Sequence, residues 1–307
     1  MTSTPTMESL TMKPELILDM TEKEYHASSG IGKDKFVTRS MLGLMDKDPP
    51  MFKYRYIDND PFCQIEDSEP MKFGRYVEQY LFGDDLSNWS TRPEKCWSRN
   101  KKEWVDWNNG AGRFVSPYCT IPTSVWTAEH PDIIKDEEVQ IAEFMKKRFE
   151  ETALGKFWIE QLPKAQKQAV CRWKDKDTGI NCQIRIDAVI PGSLITDLKS
   201  SGSPLEKFTT SALAYDYHTQ HAMYQDGYAE VVGEVLPFAF AIGEVKGLKR
   251  ARIRTLPPLM VDHGRLAYKR ALKRLEDGDY SPYDANETTP QECELPAYLL
   301  YQLEGEQ

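Results

Sequence analysis

The segment from Cys182 to Lys199 restricts the fold more than any other part of the chain. Residues Cys182 to Ile190 form an alternating apolar run, Pro191-Gly192-Ser193 follow, and a second short apolar run carries Asp197, Leu198 and Lys199. A period of two marks a strand, and two such runs joined by turn residues read as a hairpin. Successive strand side chains take opposite faces. Asp197 and Lys199 therefore share a face, with Leu198 turned toward the core, and a closed hairpin sets Asp187 beside Asp197. On an exposed strand, Asp-x-Lys amounts to a weak surface ion pair. Here Ile184, Ile186, Val189, Ile190, Leu194 and Ile195 surround the charges, and charge at the edge of a core is costly without partners or a cation. Carboxylate oxygens are the usual Mg²⁺ ligands, and a cation-held phosphate beside a lysine is a setting for phosphodiester hydrolysis.

Length and composition narrow the alternatives. The 307 residues suffice for one large domain or two modest ones, and 40% hydrophobic with 11% aromatic content describes a globular chain. No apolar run approaches the roughly 18 residues of a membrane span, and no basic segment leads into an apolar one near the N-terminus, so an intracellular, membrane-free protein is expected. Six cysteines without a Cys-x-x-Cys pair argue against zinc, iron–sulfur and disulfide scaffolds. With five histidines in no ligand spacing, a hard, oxygen-ligated cation is the better expectation. The net charge of −9 counts against a broad nucleic-acid-binding surface. Local charge points the other way, because Lys246, Lys249, Arg250, Arg252 and Arg254 lie close together. Arg250, Arg252 and Arg254 alternate with Ala251 and Ile253, placing three guanidinium groups on one strand face. Their planar forks suit phosphate; the alternative is an exposed basic strand that serves solubility.

Along the chain, residues 1–20 read as a flexible tail. A helix-prone stretch begins at Glu22 after the N-cap residue Thr21. Lys35 to Met45 reads as a helix stopped by Asp46-Lys47-Asp48-Pro49-Pro50, and Met71 to Phe82 as another with apolar residues at helical spacing. Residues 85–132 are expected to be a long irregular insertion. Asp136 to Glu151 is an amphipathic helix, followed by strands Gln166 to Trp173, Cys182 to Ile190 and Leu194 to Lys199. Leu205 to Ala214 and Tyr217 to Val232 read as helices, Leu236 to Val245 and Ala251 to Leu256 as strands, and Leu259 to Glu276 as a helix. Residues 277–307 form an acidic tail. This order predicts an α/β (α+β-like) domain over 21–276, a central mixed β-sheet flanked by helices. Trp126, Trp158 and Trp173 are expected in the core rather than stacked on bases.

Asp187, Asp197-Leu198-Lys199 and the helical Gln220-His221-Ala222-Met223-Tyr224 resemble the PD-(D/E)xK nuclease superfamily, and within it the RecE-like branch of exodeoxyribonuclease VIII and phage recombination exonucleases. Glu24-Tyr25-His26-Ala27, Arg39-Ser40 before Asp48-Pro49-Pro50, and Phe73-Gly74-Arg75-Tyr76-Val77-Glu78 resemble that branch as well. The likeness spans most of residues 22–275. The chain departs from it at Glu78, where the branch commonly has histidine, and at Gln166 or Gln168, where an acidic residue is sometimes found.

The resemblance implies a restriction-endonuclease-like core and a Mg²⁺-dependent exonuclease, with Mn²⁺ able to substitute. One or two ions would be held by Asp187, Asp197, Glu78 and the Leu198 carbonyl, while Lys199 orients or deprotonates the attacking water. Gln220 and Tyr224, one helical turn apart, would face the site. Arg39 and Ser40 are placed to hold a 5′-phosphate. Arg185, expected on the face of Asp187, would pair with it or meet DNA phosphate, and Lys249, Arg250, Arg252 and Arg254 would bind DNA. The resemblance further implies 5′-to-3′ degradation of linear duplex DNA in phage-type recombination, a ring-shaped homo-oligomer, a single-strand annealing partner and a cytoplasmic setting in a bacterial or phage-infected cell. A structure- or site-specific endonuclease, or a catalytically impaired DNA-end-binding protein, are the alternatives.

Overall fold

A computed structural model describes residues 13–65, 68–92, 95–98, 103–106, 113–115, 120–122 and 132–283. In chain order the described elements are β1 (Glu15–Ile17), α1 (Glu22–Ser28), α2 (Arg39–Lys47), α3 (Pro49–Tyr56), α4 (Glu69–Phe82), β2 (Trp89–Arg92), β3 (Lys95–Ser98), β4 (Glu103–Asp106), β5 (Arg113–Val115), β6 (Thr120–Pro122), β7 (Asp132–Lys135), α5 (Asp136–Glu150), α6 (Ala153–Gln161), β8 (Gln166–Lys174), β9 (Asn181–Ile190), β10 (Leu194–Ser201), α7 (Phe208–Ala214), α8 (Tyr217–Val232), β11 (Phe238–Glu244), β12 (Ala251–Arg254) and α9 (Pro258–Asp277). Three short 3₁₀ turns connect some of them.

The central sheet runs β1-β8-β9-β10-β11-β12. It is mixed, because β10 and β11 are parallel while the other neighbours are antiparallel. β11 shows how the layers are specified. All seven of its residues are buried, and Phe238, Phe240 and Ile242 join the cluster built with α2 and α8, whereas Ala239 and Ala241 join the one built with α4 and α5. Large side chains thus fill the space under one layer, and small ones let the other approach. Gly243 continues the small row, and a Cβ there would collide with Met145 of α5.

Several sequence expectations need correction. Part of the expected N-terminal tail is β1, which pairs with Val170 to Arg172 of β8. The Asp-Pro-Pro expected to stop a helix also starts one. Asp48 accepts a hydrogen bond from the Met51 N–H at 3.0 Å, and Pro49 and Pro50 occupy the first turn of α3, where no intrahelical N–H is needed. The insertion expected to be irregular contains the short strands β2 to β6: β2 pairs with β7, and β3 to β6 form an antiparallel sheet in the order β4-β3-β5-β6. Each is three or four residues long, too short to display a period. Trp126 lies outside the described residues. Trp158 and Trp173 are core residues, and the Trp158 indole donates to Thr196 Oγ1 at 3.1 Å.

The largest departure is in β9. Ile184 and Ile186 pack in the α8-side cluster, but so does Val189, while Ala188 and Ile190 lie in the α4-side cluster. The period of two is broken between Ile186 and Val189, at Asp187.

Two outcomes test this packing. A Cβ at Gly264 of α9 would fall on the backbone of His218 and Thr219 in α8, so Gly264→Ala is expected to destabilise by about 1–3 kcal/mol, as overpacking does, measured by urea unfolding. The β8–β9 turn is closed by Asp175, which accepts from the Asp177 and Thr178 N–H groups, from Thr178 Oγ1 and from Lys269 of α9. Burial pushes its carboxyl up, but the Lys269 and Thr178 bonds outweigh this and hold it below its ordinary value. Asp175→Ala is expected to cost about 1–3 kcal/mol at neutral pH. That stabilisation is present above the ordinary aspartate value near pH 4 and is lost as pH falls through the depressed one, so wild type and variant should converge in acid.

Candidate active site

The hairpin expectation holds in register. Ile190 faces Leu194 and Ala188 faces Thr196, so Asp187 and Asp197 fall on the same row. The backbone ladder between β9 and β10 ends at Thr196, and the next N–H of the row, from Leu198, donates instead to Asp187 Oδ2 at 2.8 Å. A side chain has replaced a main-chain acceptor at the point where the strands separate. On its other side β10 stays paired with β11 as far as Ser201, which fixes the position of Asp197 and Lys199.

Asp197 is 2% exposed. Its Oδ1 accepts from Gln220 Nε2, and the Lys199 ammonium forms an ion pair with Oδ2. Oδ2 is buried and takes no aligned hydrogen bond, so the lysine contact is its sole described partner. Lys199 lies 4.7 Å from the Tyr217 ring centroid, where the ring face favours a cation. Gln220 Oε1 in turn faces Arg39 Nη2 at 3.5 Å, at the outer limit of a hydrogen bond. Residues of α2, α8 and β10 are thereby linked in one polar chain.

The third carboxylate comes from α4, where Glu78 accepts a hydrogen bond from Gln168 Nε2. Burial pushes Glu78 up to about 7; Arg185 opposes the shift, and Asp197 adds to it. Asp187 is raised well above its ordinary value by burial and then by the charges of Asp197 and Glu78. Glu78 and Asp187 line one cavity wall, Asp197 is buried beside Asp187 on the same sheet row without lining the cavity, and carboxylates this close resist full ionisation unless positive charge joins them.

The cavity beside this wall has a volume of about 530 Å³. Glu78, Asp187, Gln168, Arg39, Ser40, Arg185 and Tyr224 line it, together with Glu22, Tyr25 and Arg75. Tyr224 is nearly buried, and its hydroxyl is held protonated by burial. Glu22, which the sequence reading left without a role, lies 3.6 Å from Arg185 Nη1. Arg185 thus pairs across the cavity with α1 rather than with Asp187. The Nε atoms of Arg39 and Arg185 are buried without a hydrogen-bond partner. Nothing at sequence level signals Glu22, because its contact crosses from the first helix to the ninth strand.

The basic strand is placed apart from this cavity. Phe240 pairs with Asp197 on one side and Arg254 on the other, and Ile242 likewise separates Lys199 from Arg252. Two strand spacings, about 10 Å, intervene. Arg250, expected on the sequence to meet phosphate, is engaged by Glu206 at 2.7 Å and by Glu244 at 2.7 Å. Those acids lie in segments the local pattern could not pair with it. Arg252 and Arg254 donate to the Ala251 and Ile253 carbonyls. Lys249 takes a positive φ of 48° in the turn before β12.

The donor types fit a hard divalent cation: three carboxylates, of which Asp197 Oδ2 is buried and short of hydrogen bonds. Among the described residues no three acidic, histidine or cysteine side chains already close around one point. Gln168, Lys199 and Gln220 are in contact with carboxylate oxygens there. No described helix is long and apolar enough to cross a membrane.

No curated protein matches the sequence at a significant level. Among solved structures, the fold is similar to a crystal structure from Eubacterium rectale described as a "Putative exonuclease", with a TM-score of 0.52 and 16% sequence identity, covering 92% of this chain and 98% of that one. At that identity the likeness concerns the fold. The model of one family, described as "PDDEXK-like domain of unknown function (DUF3799)", matches residues 57–300. With the mixed sheet, its carboxylate row and a match of that length, the chain belongs to this PDDEXK-like family.

Proposed function

We propose that the protein is a Mg²⁺-dependent nuclease acting on DNA, and more narrowly an exodeoxyribonuclease of the RecE-like kind that degrades linear duplexes from the 5′ end. The observation that carries this reading is that Asp187 and Asp197 share one sheet row, with Lys199 against Asp197 and Glu78 lining the same cavity as Asp187. Asp187, Asp197, Glu78 and the Leu198 carbonyl would hold one or two Mg²⁺ or Mn²⁺ ions, which when bound supply Lewis-acid stabilisation of the scissile phosphate. The protein's own part is to place and move protons. Lys199 Nζ, steadied by Asp197 and the Tyr217 ring, orients the attacking water and neutralises charge developing on the phosphate. Gln220 holds Asp197 through one amide atom and is placed to pass orientation on to Arg39 through the other.

Two features support action at a strand end. Arg39 and Arg185 line the same cavity, each with a buried Nε that has no hydrogen-bond partner, and Ser40 adds an exposed hydroxyl at the start of α2. Such a site suits a terminal 5′-phosphate. Arg252 and Arg254, with Lys249, remain as a secondary surface for the duplex backbone. The resemblance to the RecE-like branch extends the proposal to a ring-shaped homo-oligomer, a single-strand annealing partner and a role in phage-type recombination in the cytoplasm.

Linear duplex DNA labelled at the 5′ or the 3′ end distinguishes the readings. Wild type with Mg²⁺ is expected to release 5′-labelled mononucleotides promptly and to stop on chelation. Lys199→Ala should lose about 10²–10⁴-fold in rate while retaining cation and DNA binding, and Asp197→Ala should lose cleavage and cation binding together. Nicking of closed circular DNA would point to an endonuclease, and end-binding without cleavage in Mg²⁺ or Mn²⁺ to a DNA-binding role.

A further inference from the structure

Gln168 is the residue on β8 opposite Asp187, since Lys167 faces Ala188 and Ala169 faces Ile186. The β8–β9 pairing is continuous from Gln166 to Lys174 except for that row. Gln168 has a φ of 51° in the middle of a strand, a left-handed conformation that residues with a Cβ rarely adopt. Neighbouring strand residues ordinarily point to opposite faces. Here Lys167 and Gln168 both reach α4: Lys167 Nζ bonds the Phe82 carbonyl and lies 3.0 Å from Asp84 just beyond the helix, while Gln168 Nε2 bonds Glu78 Oε1. The inverted backbone at Gln168 lies between these two contacts. The face exchange of β9 at Asp187 occurs on the same row.

We infer that Gln168 is a positioning residue for the cation site, whose strained backbone aims its amide at Glu78 so that Oε1 is fixed and Oε2 is left to the cavity. The inference rests on reading the carboxylate wall as a cation site. Strained backbone persists only where its surroundings over-determine it, and it concentrates at functional sites. If the residue served packing alone, glycine would suit it better, because glycine takes this conformation without steric cost.

Gln168→Gly and Gln168→Leu in the full chain test this, read by isothermal titration with Mn²⁺ and by thermal melting without metal. Losing the hydrogen-bond partner of a ligand typically costs 10–100-fold in metal affinity, and that loss is expected in both variants. Both variants remove the donor to Glu78 but only glycine relieves the backbone, so Gln168→Gly should melt higher than Gln168→Leu. Unchanged Mn²⁺ affinity in Gln168→Gly and Gln168→Leu would overturn the role of Gln168 alone. Gln168→Gly melting no higher than Gln168→Leu would show that the backbone there is not strained and overturn it too. Absence of Mn²⁺ binding by wild type would overturn the reading of the site itself, and the role of Gln168 with it.

Discussion

The repulsion between Asp187 and Asp197, set on one row of the sheet and joined by Glu78, is the term that the surrounding structure is arranged to offset. Like charges in a buried wall are costly, and each carboxylate is met by a specific donor or cation: Leu198 N–H for Asp187, Gln220 and Lys199 for Asp197, Gln168 for Glu78. These partners come from β10, α8 and β8, so the wall forms only when the sheet and its helices are assembled. The sheet itself yields at this row. The β9–β10 ladder ends, the β8–β9 pairing skips a position, and both strands that carry the row change character there. Backbone regularity is surrendered where polar side chains must converge.

The apolar layers make this concession possible. α8 is buried at every position from His218 to Tyr224, because it lies between the sheet, α2 and α9. Its close approach to α9 is set by Gly264 against His218 and Thr219. A helix held on several sides has few alternative rotations, so Gln220 and Tyr224 are fixed in direction. The opposite face uses the reverse device: Ala239, Ala241 and Gly243 on β11 admit Met145 and its neighbours. Large residues on one face and small ones on the other determine where each helix layer lies, and hence where Glu78 stands relative to Asp187.

Much of this was legible in the chain. The Cys182–Lys199 pattern implied the hairpin, and its turn length implied the Asp187–Asp197 row, because both are properties of consecutive residues. The mixed sheet with flanking helices followed from the order of periodic segments, and Gln220 and Tyr224 were singled out through the resemblance to the PD-(D/E)xK superfamily. Misreadings arose where local signals compete or are short. Asp48-Pro49-Pro50 is a stop for one helix and a cap for the next. β2 to β6 are too brief to show a period.

Sequence alone determined which residues occupy the strand row and which residue types cluster, since these depend on periods of two and 3.6 along the backbone. Tertiary structure decided the pairings that cross the chain. It gave Arg185 to Glu22 rather than Asp187, and bound Arg250 to Glu206 and Glu244. It brought Gln168 to Glu78 through an inverted backbone that no sequence period announces. The physical reason is range. Hydrophobic alternation acts between neighbours a few residues apart, whereas the partner of a buried charge is whichever polar group packing brings within hydrogen-bond distance.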